Sequence, residues 1–276
     1  RLCDRMHFNK LGCLCNSTGS TQNNTNMKKV LFILASLTTL QVNAQKLIGG
    51  KNIIKGNLTS FALKNYHLSF ERSLNHFMSV SASYRYMPKG SLPLQAISKK
   101  YIDNPAINFD LFQMGNNALT FESRFYLGLQ KMSGFYIAPY LRFADFDLGV
   151  PIAYTYTPEG SFIAPTPITK TADLNGVIKS TSYGAYIGLQ KQLLTKLVID
   201  IWFIGGHFGS SNGTLNFIAP EKLPTQAVSA LQKALDNTKV SPFEITSKVN
   251  QNGATADMKG PWAGFRGLGI SLGLRF

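Results

Sequence analysis

The stretch "RGLGISLGLRF", residues 266–276, decides how the rest of the chain is read. Taken with period two, Leu268, Ile270, Leu272, Leu274 and Phe276 share one side, and Gly267, Gly269, Ser271, Gly273 and Arg275 the other. Successive side chains of a β-strand point to opposite faces, so this is a strand with one oily side and one small or charged side. A soluble sandwich would turn the oily side into its core. A barrel in a bilayer would turn it to lipid and line its interior with the other set.

Eight alternating runs are legible: 55–63, 66–74, 78–87, 118–128, 134–146, 180–193, 197–209 and 264–276. Most have the length of about nine residues or more that a tilted strand needs to cross a bilayer. Their connections sort by parity. Those on one side, 75–77, 129–133 and 194–196, are tiny; those on the other, 64–65, 88–117, 147–179 and 210–263, are long in three cases out of four. Short turns on one side and long loops on the other are the habit of membrane barrels, and an even strand number puts both ends on the short-turn, periplasmic side. Aromatics fall near strand ends, with Tyr66, Tyr84, Tyr86, Phe143 and Tyr183 toward the long loops and Phe135 and Phe276, beside the aliphatic Leu127, toward the short turns. That is the placement of two girdles. The fold class expected is therefore all-β: an eight-stranded antiparallel up-and-down transmembrane β-barrel with long extracellular loops.

The polar parity set carries both signs of charge: Lys55, Glu71, Arg85, Glu122, Arg124, Arg142, Asp200 and Arg275. Eight charges in a soluble core would be very costly unless paired. An eight-stranded barrel is just wide enough for side chains to fill it, so these residues are expected to form a lumenal ion-pair network with no wide pore. The competing reading places them on the solvent side of a one-sided sheet.

Composition agrees with a β chain: 19 Phe, 11 Tyr and 24 Gly, with 44% hydrophobic and only 15% charged residues. All three cysteines, Cys3, Cys13 and Cys15, precede Met27. Then "MKKVLFILASLTTLQVNAQ" gives a short basic region at Lys28 and Lys29, an apolar run and a small residue, Ala44, before Gln45. This pattern reads as a secretory signal over 27–44, too short for a spanning helix, with cleavage near Ala44. Residues 1–26 read as an upstream extension and 45–276 as the barrel. Removing 1–44 takes away five basic side chains (Arg1, Arg5, Lys10, Lys28, Lys29) and one acidic (Asp4), leaving 23 basic and 13 acidic, a net of +10. For an exported basic chain the expected counter-charges are anionic lipid headgroups or acidic surface glycans, not nucleic acid.

The final alternating segment with its terminal Phe276 resembles the signal by which the barrel-assembly machinery recognises outer-membrane barrels, with Leu272, Leu274 and Phe276 as its apolar positions. More narrowly, "NLTSFALKNYHLSFERSL", "FESRFYL", "GFYIAPYLRF" and "NQNGATADMKGPWAGFRGLGISLGLRF" resemble a domain-of-unknown-function family of outer-membrane barrels common in Bacteroidetes. The resemblance spans most of 45–276. It implies the outer membrane of a Gram-negative bacterium, with lipid, lipopolysaccharide and the assembly machinery as partners and an unknown surface partner besides. It implies no catalytic residue.

Motifs that could carry chemistry are weak. "GISLG", 269–273, matches the nucleophile-elbow pattern, but Ser271 sits within a strand and no histidine follows. His67, His76 and His207 lack metal-ligand spacing, and "GGHFG", 205–209, lacks the lysine and helix of a phosphate loop. Glu122 and Arg124 could evoke a membrane enzyme, but a lumenal salt bridge is the simpler role. No cofactor, metal or catalysis is expected. Within 210–263, "PTQAVSALQKALDN" has Val228, Leu231 and Leu235 at helical spacing and predicts an amphipathic helix over 224–237. It packs on its own loop or the rim, or touches lipopolysaccharide or a partner. Loop 147–179 carries Pro151, Pro158, Pro165 and Pro167. The function expected is structural, adhesive or surface-recognition through the loops. The alternative is a narrow conduit for a small or apolar molecule.

Overall fold

The computed structural model describes residues 50–91, 110–128, 130–159, 166–238 and 240–276. The expected signal segment and upstream extension lie outside them. Where the sequence alternates oily and polar, the backbone forms antiparallel strands, and consecutive strands pair. These are β1 (Asn52–Asn57), β2 (Tyr66–Ser73), β3 (Met78–Ser91), β4 (Gln113–Tyr126), β5 (Gly134–Tyr156), β6 (Ile168–Gln192) and β7 (Leu197–Ile218), with α1 (Leu58–Ala62) after β1. After β7 come α2 (Thr225–Asn237), β8 (Glu244–Asn250), β9 (Gly253–Pro261), β10 (Gly264–Arg266) and β11 (Gly269–Arg275). The order β1 to β7 closes through β11, which pairs β7 on one side (Ile270↔Ile201, Leu272↔Ile199) and β1 on the other (Ile54↔Leu274, Gly56↔Leu272). The result is an antiparallel ring of eight strands with no free edge inside the closed part.

Four boundaries differ from the sequence reading. The first strand does not reach residue 63: Asn57 accepts from the Ser60 N–H at 2.5 Å and from Thr59 Oγ1 at 2.8 Å, capping α1 and ending β1. The long connections 147–179 and 210–263 are not mostly loop, because β5, β6 and β7 run far past the ring. The β8–β9 hairpin continues the sheet by pairing with the extension of β7 (Leu215↔Ala256). The last run is broken at Gly267–Leu268 into β10 and β11. Proline tolerates these extensions where a ladder is missing. Pro151 lies beyond the end of the β4 pairing at Gln113↔Gly149, where β5 has no ladder partner on that side among the described residues.

The two parts of the sheet have opposite polarity. In the ring, the outward residues are oily: Phe70, Tyr84, Phe121, Leu141 and Leu272 are exposed, and their alternate neighbours Glu71, Ser83, Glu122 and Ser271 are buried inside. In the extensions the phase is reversed. Ile152, Tyr154, Leu174 and Leu215 are buried, while Thr155, Thr171, Asp173 and Thr214 face out. The buried face of this cap is covered by α2 through Ala227, Leu231 and Leu235, spaced one turn apart, with Ala254 and Ala256 of β9 beside them. The predicted helix is thus present, and it packs on the extended strands.

Candidate functional site

The interior of the ring is the feature with chemical content. Lys55 of β1, Glu71 of β2, Glu122 and Arg124 of β4 and Asp200 of β7 are all buried and converge there. The parity of each strand aims them inward, and their partners lie on strands far apart in sequence. Lys55 Nζ lies 2.5 Å from Glu71 Oε2 and 2.8 Å from Asp200 Oδ2, and it donates to Gln190 Oε1 at 2.8 Å. Arg124 bridges Asp200 (2.7 Å), Glu122 (2.9 Å) and Glu71 (3.4 Å). Every carboxylate is further satisfied by hydroxyls. Tyr126 and Ser79 donate to Glu71 Oε1, each at 2.6 Å; Tyr136 donates to Asp200 Oδ1 at 2.6 Å; Tyr186 donates to Glu122 Oε2 at 2.7 Å.

Buried ion pairs repay their desolvation only when geometry and additional hydrogen bonds are good, and here both conditions hold. Bulk fills the remaining space. The Tyr136 ring packs edge-on to Tyr186, and a Cβ at Gly188 would overlap the Tyr136 ring, so the chain needs glycine opposite that tyrosine. Likewise a side chain at Gly269 would overlap the Trp202 indole. The layer is a plug of ions, phenols and an indole.

The other expected members sit elsewhere. Arg275, at the short-turn end, donates to the Gly50 carbonyl (2.7 Å) and to Gln192 Oε1 (2.8 Å), out of reach of the carboxylates. Arg85 and Arg142 lie toward the long-connection end. Arg142 Nε donates to Thr120 Oγ1 at 3.0 Å, and no ion pair joins either arginine among the described residues. Leu272 and Leu274 are exposed on the outside, and the Phe276 backbone pairs with Asn52. Of the other motif residues, Ser271 is buried in β11 with its Oγ accepting from Asn57, in no strand-to-helix elbow.

Arg266 is a member of the plug that strict alternation conceals. It shares parity with the oily set, yet its guanidinium lies 4.5 Å from the ring centres of both Tyr186 and Trp202, with NH1 3.6 Å from Glu122 Oε1. The break at Gly267–Leu268 explains it: Phe265 and Leu268, three apart, are both exposed, so the phase flips between them. Opposite, Phe203 and Ile204 are consecutive and both exposed, and the β6–β7 register shifts at Ile187/Gly188. The same flip turns His207 inward. Gln190, Tyr126, Tyr136 and Tyr186 also belong to the plug, and their signal was legible: each has the inward parity of its strand.

No family model and no curated protein matches this sequence. Among solved structures, the N-terminal β-barrel domain of Pseudomonas aeruginosa OprF aligns over 82% of this chain and 98% of that one, at 9% identity and a TM-score of 0.24. The ring is defined by the chain's own strand register.

Proposed function

We propose that the chain is an eight-stranded transmembrane barrel of an outer membrane, sealed along its axis, that acts at the cell surface through its cap. The observation that carries the location is the reversal of polarity along single strands. The outward face of β5 passes from Phe143 to Asp145, that of β6 from Tyr183 to Lys179, and that of β7 from Phe208 to Ser210 and Asn212. These positions are neighbours across the sheet: Phe143↔Thr181, Tyr183↔Phe208, Asp145↔Lys179, Lys179↔Asn212. A ring that ended in water on all sides would have no reason to exchange its oily and polar faces at one level. A lipid boundary supplies one.

The plug supports a role without solute passage. Its charges and tyrosines occupy the axis, where a conduit would be lined by small side chains. No helix among the described residues is long and apolar enough to cross a membrane. The cap, with its own apolar core, is the part offered to the outside and suits recognition or adhesion. Planar-bilayer recording of the purified, membrane-inserted protein tests the sealed interior. Silence is expected, and large steady currents would overturn it in favour of the conduit.

A further inference from the structure

Beyond the plug, at the long-connection end of the ring, lies a cavity of about 320 Å³ whose lining includes Arg85, Arg142, His207 and Asn65 together with the rings of Phe146 and Trp262. Three features of it are unexplained by the sealed barrel. The first is charge. Lys55, Arg124 and Arg266 balance Glu71, Glu122 and Asp200 within the plug, so among the described residues Arg85 and Arg142 leave the interior with two cations in excess. Arg85 makes no hydrogen bond or ion pair among the described residues, and Arg142 is held by Thr120 and by the Tyr140 ring at 5.2 Å, not by a carboxylate. The second is unmet hydrogen bonding: His207 Nδ1 and Asn65 Oδ1 are buried without a partner among the described residues. The third is the wall. Phe146 and Trp262 lie with ring centres 4.7 Å apart, an apolar surface beside two guanidinium groups.

Cations removed from water without a counter-charge are costly, and an arginine fork matches a carboxylate in two parallel hydrogen bonds. The volume is at the small end of ligand pockets, which are apolar chambers with a few placed polar groups. We propose that this vestibule binds a small organic carboxylate, its anionic head on Arg85 and Arg142 and its apolar body against Phe146 and Trp262. His207 Nδ1 and Asn65 are placed to serve the same ligand's polar atoms. The site takes its ligand from the long-connection side and requires no passage through the plug.

The test uses the purified protein in lipid nanodiscs, with benzoate as the probe and benzamide as its uncharged isostere. Trp262 is one of two tryptophans, so its emission reports occupancy, and Trp262→Phe serves as the signal control. The expected result is a saturable emission change with benzoate, absent with benzamide, and at least about tenfold weaker in Arg85→Gln/Arg142→Gln, since hydrogen bonds to charged groups are the strong ones. Folding of each variant is read separately from its heat-dependent gel mobility. If the double variant does not fold, Arg85→Gln alone decides, because that side chain makes no hydrogen bond or ion pair among the described residues. Benzamide titrating like benzoate, folded variants binding benzoate at wild-type strength, or no saturable change in the wild type would each overturn the proposal. Conductance is measured on the same preparation, so a silent barrel that ignores benzoate fails the vestibule and spares the sealed interior.

Discussion

Lys55 Nζ is held by three acceptors within 2.8 Å, two of them carboxylates, at a depth where no water competes. Its removal strands charge: in Lys55→Met, Glu71 and Asp200 keep Arg124 and their phenols but lose their shared cation. Breaking a buried pair from one side costs about 3–5 kcal/mol, whereas removing both sides costs less. Urea unfolding in lipid vesicles is therefore expected to show Lys55→Met destabilised by that amount, and Lys55→Met/Glu71→Gln recovering part of the loss; strict additivity of the two substitutions would contradict the coupled plug. Five of the eight charges named from parity do meet at this point. The rest was hidden for a reason local to the chain. Arg266 and His207 come inward only because the sheet is irregular at Gly267–Leu268 and at Phe203–Ile204, and a simple period of two has no way to register a skipped residue.

At the scale of the element, β6 contains both halves of the argument. From Ser180 to Gln190 its buried residues are mostly polar or glycine and its outward ones mostly oily; from Ala172 to Ile178 its buried ones are Ala172, Leu174 and Ile178. The alternation continues through 168–192, but its sense reverses, so the oily-outward pattern ends near Ser180 and the sequence shows a shorter strand than the one that forms. An arginine on the lipid side of a strand near mid-membrane costs about 2–4 kcal/mol. Phe121→Arg, in the exposed oily band at 47% exposure, is expected to lose that much in vesicle unfolding. Val177→Lys, equally outward but beyond the reversal, is expected to lie within about 0.5 kcal/mol of wild type, as ordinary surface substitutions do. Equal costs at the two positions would erase the boundary. The cap obeys soluble rules instead: Leu231, fully buried under the extended strands, is expected to cost about 2–5 kcal/mol when cut to alanine. Hydrogen exchange should show that loss in α2, β8 and β9, with the amides of β2 and β3 still protected.

For the whole molecule, the two polarities give the ring a direction. The end with tight turns, where Leu193 N and Leu194 N bond back to Leu197 O, has little backbone beyond the oily band of the ring, while the other end carries the helix, the hairpin and a complete apolar core. Barrels of outer membranes keep short turns on the periplasmic side and longer connections on the outer side, so the bulky end is expected at the cell surface. The chain is suited to showing this, because residues 45–276 contain no cysteine. A single cysteine at Asn250, exposed at the tip of the β8–β9 hairpin, is expected to react with a membrane-impermeant maleimide on intact cells, and one at Thr195, exposed on a short turn, only after lysis. Labelling of Thr195→Cys alone on intact cells would invert the molecule, and equal labelling of both would remove it from the membrane. Labelling of Asn250→Cys alone would leave the cap, with the carboxylate vestibule at its base, as the face a ligand or partner meets.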